Sequence, residues 1–295
     1  MIAPDLSRPS SSHRPVLVLG ATGKTGSRVA ARLRAAGVPA RAGSRQADPP
    51  FDWSDPTTWD AALRGVGAVY VTYQPDLAVA GACDTVRAFT ERAVAAGVER
   101  LVLLTGRGQA AAEAAERALH AIAARGGASW TVIRASWFAQ NFSESFLHPM
   151  VMAGVIALPA GAVREPFVDV DDIADVAVAA LTQPGHASRT YDVTGSELLD
   201  FAEAAHVLGA ALGRDVAYVD LPPATFRTGL HDAGVPAELA ALLVMLFEEL
   251  LDGRNAYVGA GVREALGREP RAFSDWVREA AAMGTWSERP GTIDS

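Results

Sequence analysis

The sequence predicts an α/β fold in which a doubly wound, parallel Rossmann-type sheet is joined to a smaller, mostly helical C-terminal domain. Apolar runs typical of buried strands alternate with helical segments from Val16 to about Arg134. A glycine-rich turn joins the first strand to the first helix. After Arg134 the alternation stops, and the chain from Asp200 to about Ala282 is mostly helical in pattern.

Each element of the sheet has its own sequence signal. The predicted strands lie near residues 16–19, 40–43, 51, 68–72, 101–104 and 130–133, and the predicted helices near 24–36, 57–64, 82–96 and 109–124. We expect residues 189–195 to return one more strand to the main sheet. Asp200 and Glu203 form an Asp-x-x-Glu capping box, which predicts the start of a later helix.

The turn after the first strand reads Gly20-x-x-Gly23-x-x-Gly26. A nucleotide-triphosphate P-loop needs four residues between its first glycine and the Gly-Lys-Ser/Thr step. Only two residues, of which the second is Thr22, separate Gly20 from Gly23-Lys24-Thr25. The spacing therefore excludes an ATP loop and favours a dinucleotide site, in which glycines make the tight turn, admit a pyrophosphate and let the helix pack closely.

The second strand is followed by Ser44 and Arg45, and the first acidic residue after it is Asp48. An NAD-selective site places an acid near this position for the ribose 2′-hydroxyl, whereas an arginine suits a 2′-phosphate. We therefore predict NADP(H) as the cofactor, with Arg45 as the phosphate partner; the alternative is a solvated surface arginine. Asp52 is a candidate acceptor for the adenine amine, or a turn-forming aspartate.

Loops at the carboxyl ends of parallel strands bind the ligand in this fold class. Tyr73 and Gln74 follow the fourth predicted strand and are candidates to line the ribose and the nicotinamide, although Tyr73 is nearly as well explained as a surface residue. Thr105 follows the fifth predicted strand, opposite the nicotinamide. It is a candidate hydrogen-bonding partner of the substrate, or simply the last residue of its strand.

The segment TVIRASWFAQNF follows the sixth predicted strand and combines aromatic with amide side chains. Apolar walls with a few directed amides are typical of small-molecule pockets. Trp137 is better explained as an interdomain core contact. Phe138 and Asn141 are the candidates to contact the nicotinamide and the substrate.

Composition limits the partners that we expect. The chain has 295 residues, 49% of them hydrophobic, a net charge of -8 and one cysteine, Cys83. The negative charge, with no basic cluster, argues against nucleic acid as a partner. The N-terminus lacks the apolar segment of a signal peptide, and the apolar stretch at 239–251 is too short and too charged to span a bilayer. We expect a cytoplasmic protein with a small-molecule substrate, no membrane partner and no metal; the oligomeric state stays open.

These motifs together resemble the NmrA-like atypical short-chain dehydrogenase/reductases, above all the branch of ergot-alkaloid reductases (festuclavine and agroclavine dehydrogenases) and their bacterial relatives. The resemblance covers roughly residues 15–285. It implies an NADP(H)-binding domain over 15–142, with the strand near 189–195, and a substrate domain over 143–188 and 196–285. Residues 1–14 and 286–295 are predicted to be tails, the first of them disordered.

The chain departs from typical short-chain reductases in one respect. Those enzymes protonate a carbonyl oxygen with a Tyr-x-x-x-Lys pair, but the only lysine here is Lys24, which lies in the glycine turn. No tyrosine lies between Tyr73 and Tyr191, and the helix expected to carry the pair offers Glu116, Arg117 and His120.

A missing general acid favours acceptors that need none. An iminium carbon already carries the charge that hydride neutralises, and the ergot-alkaloid reductases that the chain resembles reduce an iminium. We therefore expect reduction of an imine or iminium group in a small, largely apolar substrate, with His120, Tyr73 and His148 as the remaining candidate proton donors. The alternatives are a quinone or enone reductase and a non-catalytic NADP(H)-sensing regulator.

Overall fold

The computed structural model describes residues 14–287. The predicted tails, 1–14 and 286–295, lie outside the described residues except for Arg14, Trp286 and Ser287. The chain divides into two compact units. The first comprises the described residues up to Ala135, with Val170–Val193 and Ala260–Arg268; the second comprises Ser136–Asp169, Thr194–Gly259 and the described residues from Glu269 onward.

The strands, in chain order, are β1 (Val16–Leu19), β2 (Ala40–Gly43), β3 (Ala68–Val71), β4 (Arg100–Gly106), β5 (Ser129–Ala135), β6 (Val155–Leu158), β7 (Arg189–Val193) and β8 (Ala217–Asp220). The helices are α1 (Lys24–Ala35), α2 (Trp59–Leu63), α3 (Ala82–Ala95), α4 (Ala110–Gly126), α5 (Asn141–Glu144), α6 (Leu147–Ala153), α7 (Val170–Thr182), α8 (Phe201–Leu212), α9 (Pro223–Asp232), α10 (Ala237–Leu250), α11 (Gly261–Leu266) and α12 (Phe273–Ala282). A short 3-10 helix, Pro56–Thr58, precedes α2.

The first unit is built on a parallel sheet, as predicted. Within the described residues it has six strands in the order β2-β1-β3-β4-β5-β7, and every neighbouring pair is parallel. The strand predicted over 189–195 is present as β7, which pairs with β5. The strand order reverses between β1 and β3, and ligands of such sheets bind at the carboxyl ends of strands at this reversal.

The strand predicted at Phe51 is wrong. The two residues before it, Pro49 and Pro50, have no N–H to donate to a ladder. The N–H of Phe51 instead donates to the carbonyl oxygen of Ser44 at 2.9 Å, so this segment folds back on the end of β2. The Phe51 ring is buried against Phe89 of α3, with ring centroids 5.5 Å apart.

Helices on the first unit are held by packing and by charge. The apolar strand residues Leu17, Leu19, Val69, Leu101 and Leu103 are fully buried in one hydrophobic cluster. An ion-pair network joins α1 to α7: Arg32 donates to Asp171 and to Asp175, at 2.6 Å in both cases. Arg268, after α11, also donates to Asp175 at 2.6 Å. The helix that follows the glycine turn is therefore anchored at its far end.

The second unit has a core of its own, which contains Phe142, Phe167, Phe201, Phe247 and Phe273. Besides its helices it contains the parallel pair of strands β6 and β8. The predicted capping box is confirmed, because the Asp200 carboxylate accepts the Glu203 N–H while the Glu203 carboxylate accepts the Asp200 N–H. Among residues 14–287, no helix combines the length and apolar character that a bilayer crossing requires.

Candidate functional site

The backbone of the glycine turn, residues 20–26, forms a hollow, here called the cradle, that side chains at Gly20 or Gly26 would fill. Gly20 has a φ of 62°, and a Cβ at this position would lie 2.6 Å from the Thr72 hydroxyl oxygen. A Cβ on Gly26 would lie 2.2 Å from the carbonyl oxygen of Gly20. The Thr72 hydroxyl donates to the carbonyl oxygen of Leu19 at 3.1 Å. The turn is thus fixed against the end of β3, at the point where the strand order reverses.

The start of α1 faces the same turn. Gly23 is the N-cap and has no side chain, so the first N–H groups of this 12-residue helix carry no side-chain cap. Uncapped N–H groups at a helix N-terminus form a site for an anion such as a pyrophosphate. Thr22 is exposed, Lys24 is half-buried and Thr25 is buried in the first turn. This donor set and the cradle together fit a dinucleotide.

Ser44 and Arg45 follow β2, and Arg45 is exposed. The fold-back of the chain at Phe51 brings Asp52 near them. Hydrogen bonds from the backbone and side chain of Ser54, with a smaller contribution from the charge of Arg45, lower the pKa of Asp52. The structure therefore gathers these predicted residues in one region although the strand expected to position Asp52 is absent.

The loop after β3 carries Tyr73 and Gln74. The Tyr73 ring lies 5.1 Å from the ring of Trp53, whose indole N–H donates to the Thr72 carbonyl oxygen at 3.0 Å. The Gln74 Nε2 lies 3.6 Å from the position that a Gly23 Cβ would occupy. Gln74 is thus beside the glycine turn, whereas Tyr73, the residue before it, packs on Trp53. Trp53 was not predicted as a site residue, and its only signal in the sequence is the aromatic-rich FDW stretch.

Thr105, near the end of β4, is 3% exposed and belongs to a buried polar cluster. Its hydroxyl lies 2.8 Å from Glu116 Oε1 on α4. Arg134 of β5 donates to both carboxylate oxygens of Glu116. A carboxylate paired with arginine can only accept, so the Thr105 hydroxyl must be the donor in this contact. The hydroxyl hydrogen of Thr105 is therefore not available to a ligand, and toward a ligand the hydroxyl oxygen can act only as an acceptor.

His120 lies one helical turn after Glu116 on α4, and the charges of Glu116 and Arg134 act on its ring, but no hydrogen bond joins it to that cluster among the described residues. Its ring stacks on Trp130 with centroids 3.6 Å apart, and Trp130 is the second residue of β5, at the amino end of the strand. Thr105 pairs in register with Arg134, near the carboxyl end of β5. Burial lowers the pKa of His120. This position explains His120 as a helix residue packed on an aromatic ring.

Phe138 and Asn141 lie in the second unit, in the segment that follows β5. Phe138 forms a parallel bridge with Val168, and the Asn141 N–H donates to the Phe138 carbonyl oxygen at 3.0 Å. Between them, the buried Gln140 amide donates to the buried Asp169 carboxylate at 2.7 Å. These contacts fix the backbone of the segment. Phe138 and Asn141 themselves stay half-buried.

Trp137 packs within the second unit, with its ring 4.9 Å from that of Phe247. It is a core contact of that unit. The Gln140–Asp169 pair was not found from the sequence, because the two residues are 29 positions apart.

The chain is similar to known oxidoreductases along nearly its whole length. The chain is 33% identical over 292 residues to the uncharacterized oxidoreductase YesF of Bacillus subtilis, covering 94% of this chain and 99% of that protein. It is 31% identical over 281 residues to agroclavine dehydrogenase of Claviceps fusiformis, covering 90% of this chain and 96% of that protein.

Among solved structures, that of Citrobacter sp. triphenylmethane reductase complexed with NADP(H) superimposes with a TM-score of 0.74 at 19% identity. The match covers 90% of this chain and 99% of that one. No family model matches the sequence. Similarity of more than 30% identity along nearly the whole of two oxidoreductases, on a shared fold, shows that the chain belongs to the NmrA-like atypical short-chain dehydrogenase/reductases.

Proposed function

We propose that this protein is an NADPH-dependent reductase of a small, largely apolar acceptor, and that the acceptor is an imine or iminium group. The observation that carries the proposal is the Thr105–Glu116 hydrogen bond. It leaves a hydrogen-bond acceptor where reduction of a neutral carbonyl would require a donor.

The residues that would hold the cofactor are those of the cradle. The backbone of Gly20, Gly23 and Gly26 and the first turn of α1, with Thr22, Lys24 and Thr25, would surround the pyrophosphate. Ser44 and Arg45 would take the 2′-phosphate, and Asp52 the adenine amine. Tyr73, Gln74 and Thr105 would line the ribose and nicotinamide. When bound, NADPH supplies the hydride.

Phe138 and Asn141 are proposed to contact the nicotinamide and the acceptor. Their support is the fixed backbone of their segment, the half-buried state of both side chains and the family resemblance. An aromatic face excludes water, and an amide orients a polar group of the substrate. Accurate alignment of donor and acceptor is what an iminium substrate chiefly requires.

Electrostatics support the same acceptor. The buried Glu116 carboxylate already accepts from Thr105 and Arg134, so the Thr105 hydroxyl oxygen is the acceptor that remains, and an N–H group of an imine-derived iminium can donate to it. A ketone oxygen, which becomes negative during reduction, would receive no hydrogen bond from Thr105, because the hydroxyl hydrogen is donated to Glu116. The resemblance to ergot-alkaloid reductases, and the agroclavine dehydrogenase relative, agree with this preference.

The proposal is tested by mixing the purified protein with NADPH and a panel of acceptors, and following the absorbance of the reduced cofactor. The panel contains cyclic imines, N-methylated iminium salts, cyclic ketones, enones and quinones. We expect turnover of the imines and iminium salts and none of the ketones. Turnover of quinones or enones alone would replace the imine assignment with the alternative one, and no turnover across the panel would overturn the reductase proposal.

A further inference from the structure

Asp76 is a carboxyl group in the loop after β3 that the proposed function does not use. The strand β3 ends at Val71 and pairs in parallel with β4, so the loops after both strands leave the same edge of the sheet. The Asp76 side chain is only partly buried, and its Oδ1 accepts the N–H of Ala78 at 2.8 Å. The carboxyl group is therefore held by its own loop.

Asp76 also connects to the end of β4. The Gln109 side chain, at the N-cap of α4, donates a hydrogen bond to Asp76. The same amide packs on Gly106, the last residue of β4, because a Cβ there would lie 2.9 Å from Gln109 Cδ. Asp76 is thus joined through one buried amide to the residue that follows Thr105.

The amide of Gln109 has capacity left for a ligand. Gln109 is 7% exposed, and its Oε1 is buried with no hydrogen-bond partner among residues 14–287. A buried acceptor of this kind costs free energy unless a donor reaches it. A carboxamide or an N–H group bound at the edge of the sheet would supply that donor. Arg107, buried in the same turn, is the charged side chain nearest in sequence to Gln109.

The protonation state of Asp76 suits proton donation. Burial raises the pKa of this carboxyl group above its ordinary value of 3.8, opposed by the Ala78 N–H and by the Gln109 amide. A carboxyl group whose pKa is raised toward the working pH is an efficient general acid.

We propose that Asp76 is the proton donor of this reductase, delivering its carboxyl hydrogen to the nitrogen of an uncharged imine while Gln109 orients it. The inference rests on the proposed function. In the step, the C=N π bond breaks and C–H and N–H bonds form. The hydride comes from NADPH, which is oxidised, and the proton comes from Asp76, which is left as a carboxylate and regains a proton from solvent. An iminium salt needs only the hydride.

The test compares a cyclic imine with its N-methylated iminium salt, at a pH above the pKa of the imine. We expect Asp76→Asn to lower kcat for the imine by about 10²- to 10⁴-fold and to leave kcat for the salt near the wild-type value. Asp76→Glu should recover part of the loss. Asp84→Asn, which changes an acid with an 80% exposed side chain on α3, is the matched control.

Each possible result either supports Asp76 as the proton donor or excludes it. Equal losses on both substrates would mark Asp76 as structural, and an unchanged kcat for the imine would exclude it as a donor. A wild-type protein that reduces neither substrate overturns the proposed function itself, which is a distinguishable outcome.

A second readout needs neither cofactor nor turnover. The difference infrared spectrum of wild type minus Asp76→Asn, recorded on the cofactor-free protein, should show a protonated carboxyl band that persists above pH 3.8. In Gln109→Met, which lacks the hydrogen bond that lowers the pKa of Asp76, this band should persist to a still higher pH. Ionisation at or below pH 3.8 in the wild type would overturn the proposal.

Discussion

The hydroxyl of Thr105 and the carboxylate of Glu116 lie 2.8 Å apart, and both are almost completely buried. The contact joins the end of β4 to the helix on which typical short-chain reductases carry their Tyr-x-x-x-Lys pair. In this protein α4 presents Glu116 to the sheet, and this carboxylate accepts hydrogen bonds and does not donate them. This contact is the basis for the acceptor that we propose, an imine or iminium group rather than a ketone.

Glu116 and Arg134 form an ion pair, and removing the arginine should destabilise the protein more than neutralising the glutamate. Arg134→Ala leaves a buried carboxylate without its cation, because the Glu116 side chain is 3% exposed and that of Arg134 is 36% exposed. We expect the free energy of unfolding to fall by about 3 kcal/mol, measured by denaturant unfolding. Glu116→Gln, which removes the buried charge and keeps the side-chain volume, should cost less.

The control for that pair is Arg117→Ala on the same helix. Arg117 is 69% exposed and lies 3.7 Å from Glu113, so its loss should change the unfolding free energy by about 0.5 kcal/mol or less. A loss for Arg134→Ala no greater than that of the control would contradict the assignment of Glu116 as a buried charge.

Gly26→Ala should disturb the cofactor cradle. The new Cβ would lie 2.2 Å from the Gly20 carbonyl oxygen, so the turn and α1 must move apart. We expect a stability loss of about 1–3 kcal/mol and a much weakened affinity for NADPH, measured by thermal unfolding with and without the cofactor. Ser27→Ala, at the exposed next position, should leave both quantities near wild type. Unaltered NADPH binding in Gly26→Ala would show that the turn does not approach the pyrophosphate.

Arg45→Glu should change cofactor selectivity. A charge-assisted hydrogen bond to the 2′-phosphate contributes about 1.5–3 kcal/mol, which corresponds to a roughly 10- to 100-fold loss of NADPH affinity. NADH, which lacks this phosphate, should bind with little change. Arg34→Glu, an equal change of charge at an exposed position near the end of α1, controls for net charge. If titration calorimetry gives equal losses for the two cofactors, Arg45 is not the phosphate partner.

Acid should destabilise the protein partly through His120. Burial holds the pKa of His120 below its ordinary value of 6.5, so the unfolded chain binds a proton in a pH range where the folded chain does not. The contribution of neutral His120 to the free energy of unfolding is therefore complete above pH 6.5 and is lost as the pH falls below that value. In unfolding experiments, the free energy of unfolding of His120→Gln should fall less steeply over this pH range than that of the wild type. His186, whose pKa burial also lowers, is common to both proteins; parallel curves would contradict the prediction.

The sheet was predictable because its signals are local. Runs such as Val16–Leu19 and Ala68–Val71 are apolar at every position, as buried parallel strands require. The capping box of Asp200 and Glu203 also lies within four residues. The strand expected at Phe51 did not form, because the two prolines before it have no N–H to donate to a ladder.

The contacts that shape the site could not be predicted from local pattern. Glu116 meets Thr105 only because α4 packs beside β4, and Asp76 meets Gln109 across 33 positions of sequence. Arg134 is opposite Glu116 because β5 pairs with β4 in a particular register. Such pairings depend on tertiary packing, which neither periodicity nor spacing encodes.

The return of β7 to the sheet limits how this protein can be divided. A fragment that stopped at Ala135 would contain every strand from β1 to β5 and would lack β7, the outer neighbour of β5. The N–H and C=O groups along that flank would then face solvent without a strand partner and could pair with other chains. Expression of the first 135 residues alone should accordingly give aggregates, and a soluble nucleotide-binding piece would have to carry Arg189–Val193 as well.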